Sequence, residues 1–121
     1  MPWKALKSLH CLRLRYLPKM VALPQGLQYT TSIQFLEIVG CDGLTALPDW
    51  IGSLSLLQCL SIRECFTLKA LPRGFLHLSK LKELEITACP RLTRRCREPQ
   101  GEDWPKIRHI PSIIVLSLIH I

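Results

Sequence analysis

Residues 57 to 78 read Leu57-Gln58-Cys59-Leu60-Ser61-Ile62-Arg63-Glu64-Cys65-Phe66-Thr67-Leu68-Lys69-Ala70-Leu71-Pro72-Arg73-Gly74-Phe75-Leu76-His77-Leu78. Leu60 and Ile62 are two positions apart, the spacing of a strand with one buried face. After Cys65 the chain must turn, because Leu68 and Leu71 have to point back inward. Pro72 fixes φ and has no N–H, so any ladder ends there. Phe75 and Leu78, three apart, suit a single helical or 3₁₀ turn. The stretch is therefore one strand, one turn and one short helical return.

The same pattern recurs along the chain with a period of 24 residues. Leu9, Ile33, Leu57 and Leu81 form one column, followed by Leu12, Leu36, Leu60 and Leu84, and by Leu14, Ile38, Ile62 and Ile86. Leu17, Cys41, Cys65 and Cys89 form the next, then Met20, Leu44, Leu68 and Leu92, then Leu23, Leu47 and Leu71. A proline closes the first three units at Pro24, Pro48 and Pro72. No single coil can bury its own apolar side, so the coils must stack. The expected fold is an α/β, right-handed solenoid of about four coils. Its parallel sheet lies on the concave side, with short helical, 3₁₀ or loop returns on the convex side.

Composition agrees with a folded chain. It has 121 residues, 48% hydrophobic and 21% charged, with net charge +7, which is one domain and too apolar for a disordered tail. The one nearly unbroken apolar run, Ile113 to Ile121, is shorter than the roughly 20 residues of a membrane helix, so no transmembrane segment is expected. The N-terminus lacks the layout of a secretory signal. Asn is absent from the chain, which removes every N-glycosylation acceptor. These features point to an intracellular, cytoplasmic location.

The pattern LxxLxLxxC followed by LxxLPxxhxxL, with h apolar, resembles a leucine-rich repeat array. More narrowly, it is similar to the C-terminal repeats of plant nucleotide-binding disease-resistance proteins. Three features carry that resemblance over residues 3 to 111: the cysteine at the strand's end, the run Leu47-Pro48-Asp49-Trp50-Ile51-Gly52, and the ending Cys89-Pro90-Arg91-Leu92 with Gly101-Glu102-Asp103-Trp104-Pro105 through Pro111. The resemblance implies a non-enzymatic interaction module that recognises pathogen effectors and helps restrain an immune receptor. Its protein partners would be an effector or the receptor's own nucleotide-binding and signalling domains. No GxxxxGK[ST] phosphate loop is present in this sequence, so no nucleotide or other cofactor is expected to bind here.

The columns also set the expected boundaries. Residues 1–8 align with the back of a preceding repeat, 9–96 hold the repeats, 97–111 form a polar, Pro-rich cap, and 112–121 are an apolar tail able to add a last edge strand. Beginning in mid-repeat suggests a piece of a longer receptor. The competing reading is a structural terminal piece, or a truncated product of a larger scaffold, with no ligand of its own. An extracellular ectodomain is disfavoured by the missing signal, the absent Asn and the lack of paired cysteine caps.

Chemistry-bearing clusters are few. Neighbouring cysteines of the Cys41, Cys65, Cys89 column lie within the roughly 4.4 to 6.8 Å Cα span of a disulfide, but three in a row cannot all pair. They read as small buried thiols donating weakly to turn carbonyls. Cys11 and Cys59 share a column two coils apart, too far to bridge. No cysteine or histidine spacing suits zinc, and His10, His77, His109 and His120 fall in different columns, so no metal is expected. No nucleophile, base and orienting group come together, and His10 and Cys11 point to opposite faces of one strand. The positions between the inward columns face the concave side. Of these, Arg13, Arg15, Tyr16, Phe35, Glu37, Arg63 and Glu85 suit a protein partner anchored by aromatic and guanidinium groups. Arg91, Arg94, Arg95 and Arg97 form a basic patch on the cap. Without interleaved aromatics it does not read as a nucleic-acid site. The resemblance implies that such a patch meets acidic signalling domains.

Overall fold

The computed structural model describes residues 8–116. Five strands lie side by side in chain order, all parallel: β1 (Cys11–Arg15), β2 (Phe35–Val39), β3 (Cys59–Arg63), β4 (Glu83–Thr87) and β5 (Ser112–Leu116). From β1 to β4 the pairing register is the sequence repeat itself, with Leu12, Leu36, Leu60 and Leu84 in one row and Leu14, Ile38, Ile62 and Ile86 in the next. The convex side carries 3₁₀ turns at Gln25–Tyr29, Asp49–Ser53 and Arg73–His77. Each starts directly after one of the repeat prolines, whose carbonyl accepts the first turn hydrogen bond: Leu27 N to Pro24 O at 3.0 Å, Ile51 N to Pro48 O at 3.1 Å and Phe75 N to Pro72 O at 3.3 Å. Proline sets φ at the turn entrance and leaves no N–H to satisfy.

The core lies between the sheet and these turns. Leu36, Ile38, Leu44, Leu57, Leu60, Ile62, Leu68 and Phe75 are all fully enclosed. Adjacent convex turns approach closely because Gly74 sits against the Asp49 carbonyl, where a Cβ has no room. In the first coil Leu9, Leu12, Leu14 and Met20 are only half-buried. Leu17, expected inward with the cysteine column, is 40% exposed, since among the described residues this coil has a neighbour on one side only. The proposed repeat tail at 1–8 falls, except for Ser8, outside the described residues.

The last coil departs from the period. Helix α1 (Pro90–Arg95) takes the place of the extended return, with Pro90 in its first turn and Leu92 facing the core. The chain therefore leaves the 24-residue geometry at Pro90, ahead of the expected boundary at Cys96. A one-turn helix α2 (Trp104–Ile107) follows, and the chain then re-enters the sheet as β5. Glu83 pairs with Ser112, so this coil is 29 residues long. The sheet thus has a fifth strand beyond the four of the strict repeat. It comes from the start of the apolar tail; residues 117–121 lie outside the described residues.

Candidate functional site

Alternation along each strand turns one set of side chains into the core and leaves the other on the concave face. Three rows cross the sheet there: Cys11, Phe35, Cys59, Glu83, Ser112; Arg13, Glu37, Ser61, Glu85, Ile114; and Arg15, Val39, Arg63, Thr87, Leu116. Arg13, Arg15, Phe35, Glu37, Arg63 and Glu85 all belong to these rows, and Tyr16 follows β1 directly. The in-register sheet brings all seven to one side.

Their roles differ. Glu37 is on the concave face but only 7% exposed, so it does not offer the contact surface the sequence reading gave it. Its carboxylate accepts Arg15 Nε at 2.7 Å and lies 3.6 Å from Arg13 Nε. Both arginine side chains remain about half exposed, at 52% and 54%. The Arg13 guanidinium also lies over the Phe35 ring, 5.1 Å from its centroid, a cation–π contact. Two strands along, Glu85 accepts Arg63 at 2.9 Å, the Ser61 hydroxyl at 3.0 Å and the Thr87 hydroxyl at 3.1 Å. Partial burial works against the charged form of Glu85, but the donors from Arg63 and Ser61 outweigh it and hold its carboxyl below the usual range. The result is a set of guanidiniums fixed from beneath by carboxylates and open to solvent above. Phe35, Cys59, Ser61, Glu85 and Ile114 line a shallow trough of about 270 Å³ along the face.

This geometry has known counterparts. A family model of the R13L1/DRL21 leucine-rich repeats matches residues 7–89. The chain belongs to that leucine-rich repeat family. The solved leucine-rich repeat domain of the type III effector XCV3220 (XopL) is similar in structure, with a TM-score of 0.69 at 28% identity over 88% of this chain. This chain spans 36% of that one's length. No curated protein matches the sequence significantly.

Around the leucine-rich repeat face, the thiol column is fully buried. Cys41, Cys65 and Cys89 each direct Sγ at the carbonyl two residues back, at 3.5, 3.4 and 3.3 Å, and at a carbonyl of the preceding coil, at 3.7, 3.9 and 3.7 Å. All six cysteines are free thiols. Burial pushes the Cys41 thiol up. The hydrogen bond shared with Cys89, together with burial, does the same to Cys65. Among the described residues no group of three His, Cys, Asp or Glu side chains is placed to hold a metal, and no helix is long and apolar enough to cross a membrane.

The cap patch does not act as one unit. Arg91, Arg94 and Arg97 are exposed, but Arg95 is committed internally, donating to Asp103 at 2.9 Å and to Glu102 at 2.7 Å. Asp103, quoted in the sequence only as part of a motif, is the residue that organises this end. It is fully buried and also accepts the Leu71 N–H at 2.9 Å and Lys106 Nζ at 2.8 Å, while Lys106 donates to the Leu71 carbonyl at 2.7 Å. Burial alone would raise its pKa, yet the bonds from Arg95, Lys106 and Leu71 prevail and lower it. A sequence signal existed in the acidic pair Glu102-Asp103 flanked by Arg95 and Lys106, but the repeat columns gave no reason to join them.

A second feature without a sequence signature is a left-handed residue after four of the strands. Tyr16, Gly40, Glu64 and Ala88 have φ of 54°, 63°, 54° and 55°. Each N–H bonds to a carbonyl of the following strand, Val39, Arg63, Thr87 and Leu116 respectively. The Tyr16 ring packs directly against Gly40.

Proposed function

We propose that this chain is a non-enzymatic protein-recognition module of an intracellular plant immune receptor, with its concave face contacting an effector or the receptor's own nucleotide-binding and signalling domains. The observation that carries this reading is the set of half-exposed guanidiniums at Arg13, Arg15 and Arg63, anchored by Glu37 and Glu85 on a parallel sheet. Side chains fixed in this way lose little freedom when a partner arrives. Membership of the R13L1/DRL21 family and the disease-resistance resemblance of the sequence support the receptor context. Arg91, Arg94 and Arg97 supply a second, electrostatic contact to acidic signalling domains.

Two measurements test this. The adjoining genomic reading frame should encode a nucleotide-binding domain. Co-purification of that domain with the repeats should weaken on Arg63→Ala without loss of folding, as read by circular dichroism. A reading frame lacking such a domain removes the receptor assignment, and unfolding by Arg63→Ala overturns the placement of recognition on this face. The half-buried inward side chains at both ends, Leu12 and Leu14 at one and Ile113 and Val115 at the other, favour a second reading as a segment of a longer scaffold. Hydrogen exchange separates the two: a module is protected throughout on its own, and a scaffold piece only beside further coils.

A further inference from the structure

The concave face is not uniform in charge. At β1 and β2 the two guanidiniums of Arg13 and Arg15 share the single carboxylate of Glu37, which is 7% exposed. On these two strands the guanidiniums outnumber the carboxylates two to one. Each guanidinium carries five N–H donors, and Arg15 gives Glu37 only its Nε–H. At β3 and β4, Arg63 and Glu85 match one to one, and Ser61 and Thr87 spend their hydroxyls on the same carboxylate. At β5 the face is uncharged, with Ser112 at one end and the apolar Ile114 and Leu116 48% and 43% exposed. Two further acids flank the Arg63–Glu85 pair: Glu83, in the concave row beside Cys59 and lining the trough, and Glu64, just past the end of β3 in the hollow lined by Arg15 and Arg63. Read across the strands, the order is guanidiniums in excess at β1 and β2, a polar stretch richer in carboxylates at β3 and β4, and exposed apolar side chains at β5.

We infer that this face takes an extended segment of a protein partner lying across the strands, with a carboxylate side chain on Arg13 and Arg15 and an apolar side chain on Ile114 and Leu116. The inference rests on the protein-recognition reading of the same face and adds the partner's chemistry and spacing. Strands are about 4.8 Å apart, so β1 and β5 are separated by about 19 Å, and an extended chain rising about 3.3 Å per residue covers that in about six residues. The segment therefore has an acidic residue and a large apolar residue about six positions apart, with small or polar residues between them over the satisfied Arg63–Glu85 pair.

The test uses the full chain and fluorescein-labelled decapeptides of Ser, Thr and Gly carrying one Asp and one Leu six positions apart. An Asn-for-Asp peptide and a peptide with the two residues three apart serve as comparators, with binding read by fluorescence anisotropy. The Asp peptide of six-residue spacing is expected to bind about tenfold more tightly than either comparator, and to weaken as salt rises. Arg15→Gln should abolish the Asp preference, Arg15→Lys should keep part of it, and Lys69→Gln, an equal charge change at an exposed site off this face, should leave it intact. Ile114→Ser should weaken all the peptides. Equal binding of Asp and Asn peptides, a preference that survives Arg15→Gln, or no saturable binding overturns the inference. If Asp and Asn peptides bind alike and both are lost on Ile114→Ser, the acidic preference fails while recognition on the concave face stands. If binding ignores both Arg15→Gln and Ile114→Ser, both readings fall.

Discussion

Gly40 occupies the one left-handed position where the backbone is at ease, with φ of 63° and the Tyr16 ring against its Cα. Gly40→Ala should cost about 1 to 2 kcal/mol in backbone strain, and more if the Tyr16 ring cannot move aside. Glu64→Gly, at the equivalent site of the next coil, should stabilise by about 0.5 to 1 kcal/mol, because relief of strain exceeds the entropy of a freer unfolded chain. Urea unfolding of the two variants checks the opposite signs; a shared sign would show that contacts, rather than φ, govern these sites. Nothing in the sequence marks this column, because Tyr, Gly, Glu and Ala share no side-chain chemistry. What they share is a main-chain demand, and only Gly40 hints at it. The inward leucines are the opposite case. Their requirement is apolar volume, which residue type states directly.

Among the repeating elements, the cysteine column was legible as both place and chemistry. A thiol is small enough for the crowded end of each strand and donates weakly to the carbonyls that the turn leaves there. The consequence is a steep division in reactivity. Cys11 is exposed and should be labelled by an aromatic disulfide reagent within minutes. Cys59, whose thiol is pushed up by burial and by Glu83, should react more slowly. Cys41, Cys65, Cys89 and Cys96, all buried, the last pushed up to about 12 chiefly by burial, should react only as the chain unfolds. Mass spectrometry of peptides after timed labelling gives the order, and rapid native labelling of Cys65 or Cys89 would contradict the packing. The last coil was far less legible. Arg95 and Cys96 stand where the columns ask for Leu and Pro, so the pattern showed that the repeat ended without showing what replaced it. The replacement is a helix whose Leu92 and Cys96 still face the core, followed by a charged clasp formed by residues that no period connects.

At the scale of the molecule that clasp makes stability depend on pH. Asp103 has a lowered folded pKa, so its contribution is fully present above the unfolded aspartate value of about 3.9 and is lost as pH falls through the folded value. Glu85 acts in the same direction. Asp103→Asn should destabilise the chain by about 1 to 3 kcal/mol at pH 7, with the gap from the unmodified protein constant down to about pH 3.9 and closing as the solution is acidified below that. Urea midpoints across that range measure it, and a gap independent of pH would show that shape rather than charge holds the cap.

The register between β1 and β4 has one more implication. Every rung joins a residue to its counterpart one period along, and no strand between β1 and β4 is paired with anything beyond its immediate neighbours. A tandem duplication of a single period inside this region would slot in as an additional turn of the spiral and leave the existing rungs intact. It would lengthen the inner wall by one rank of side chains that are free to diverge, so the architecture lets recognition change by copying while folding stays the same.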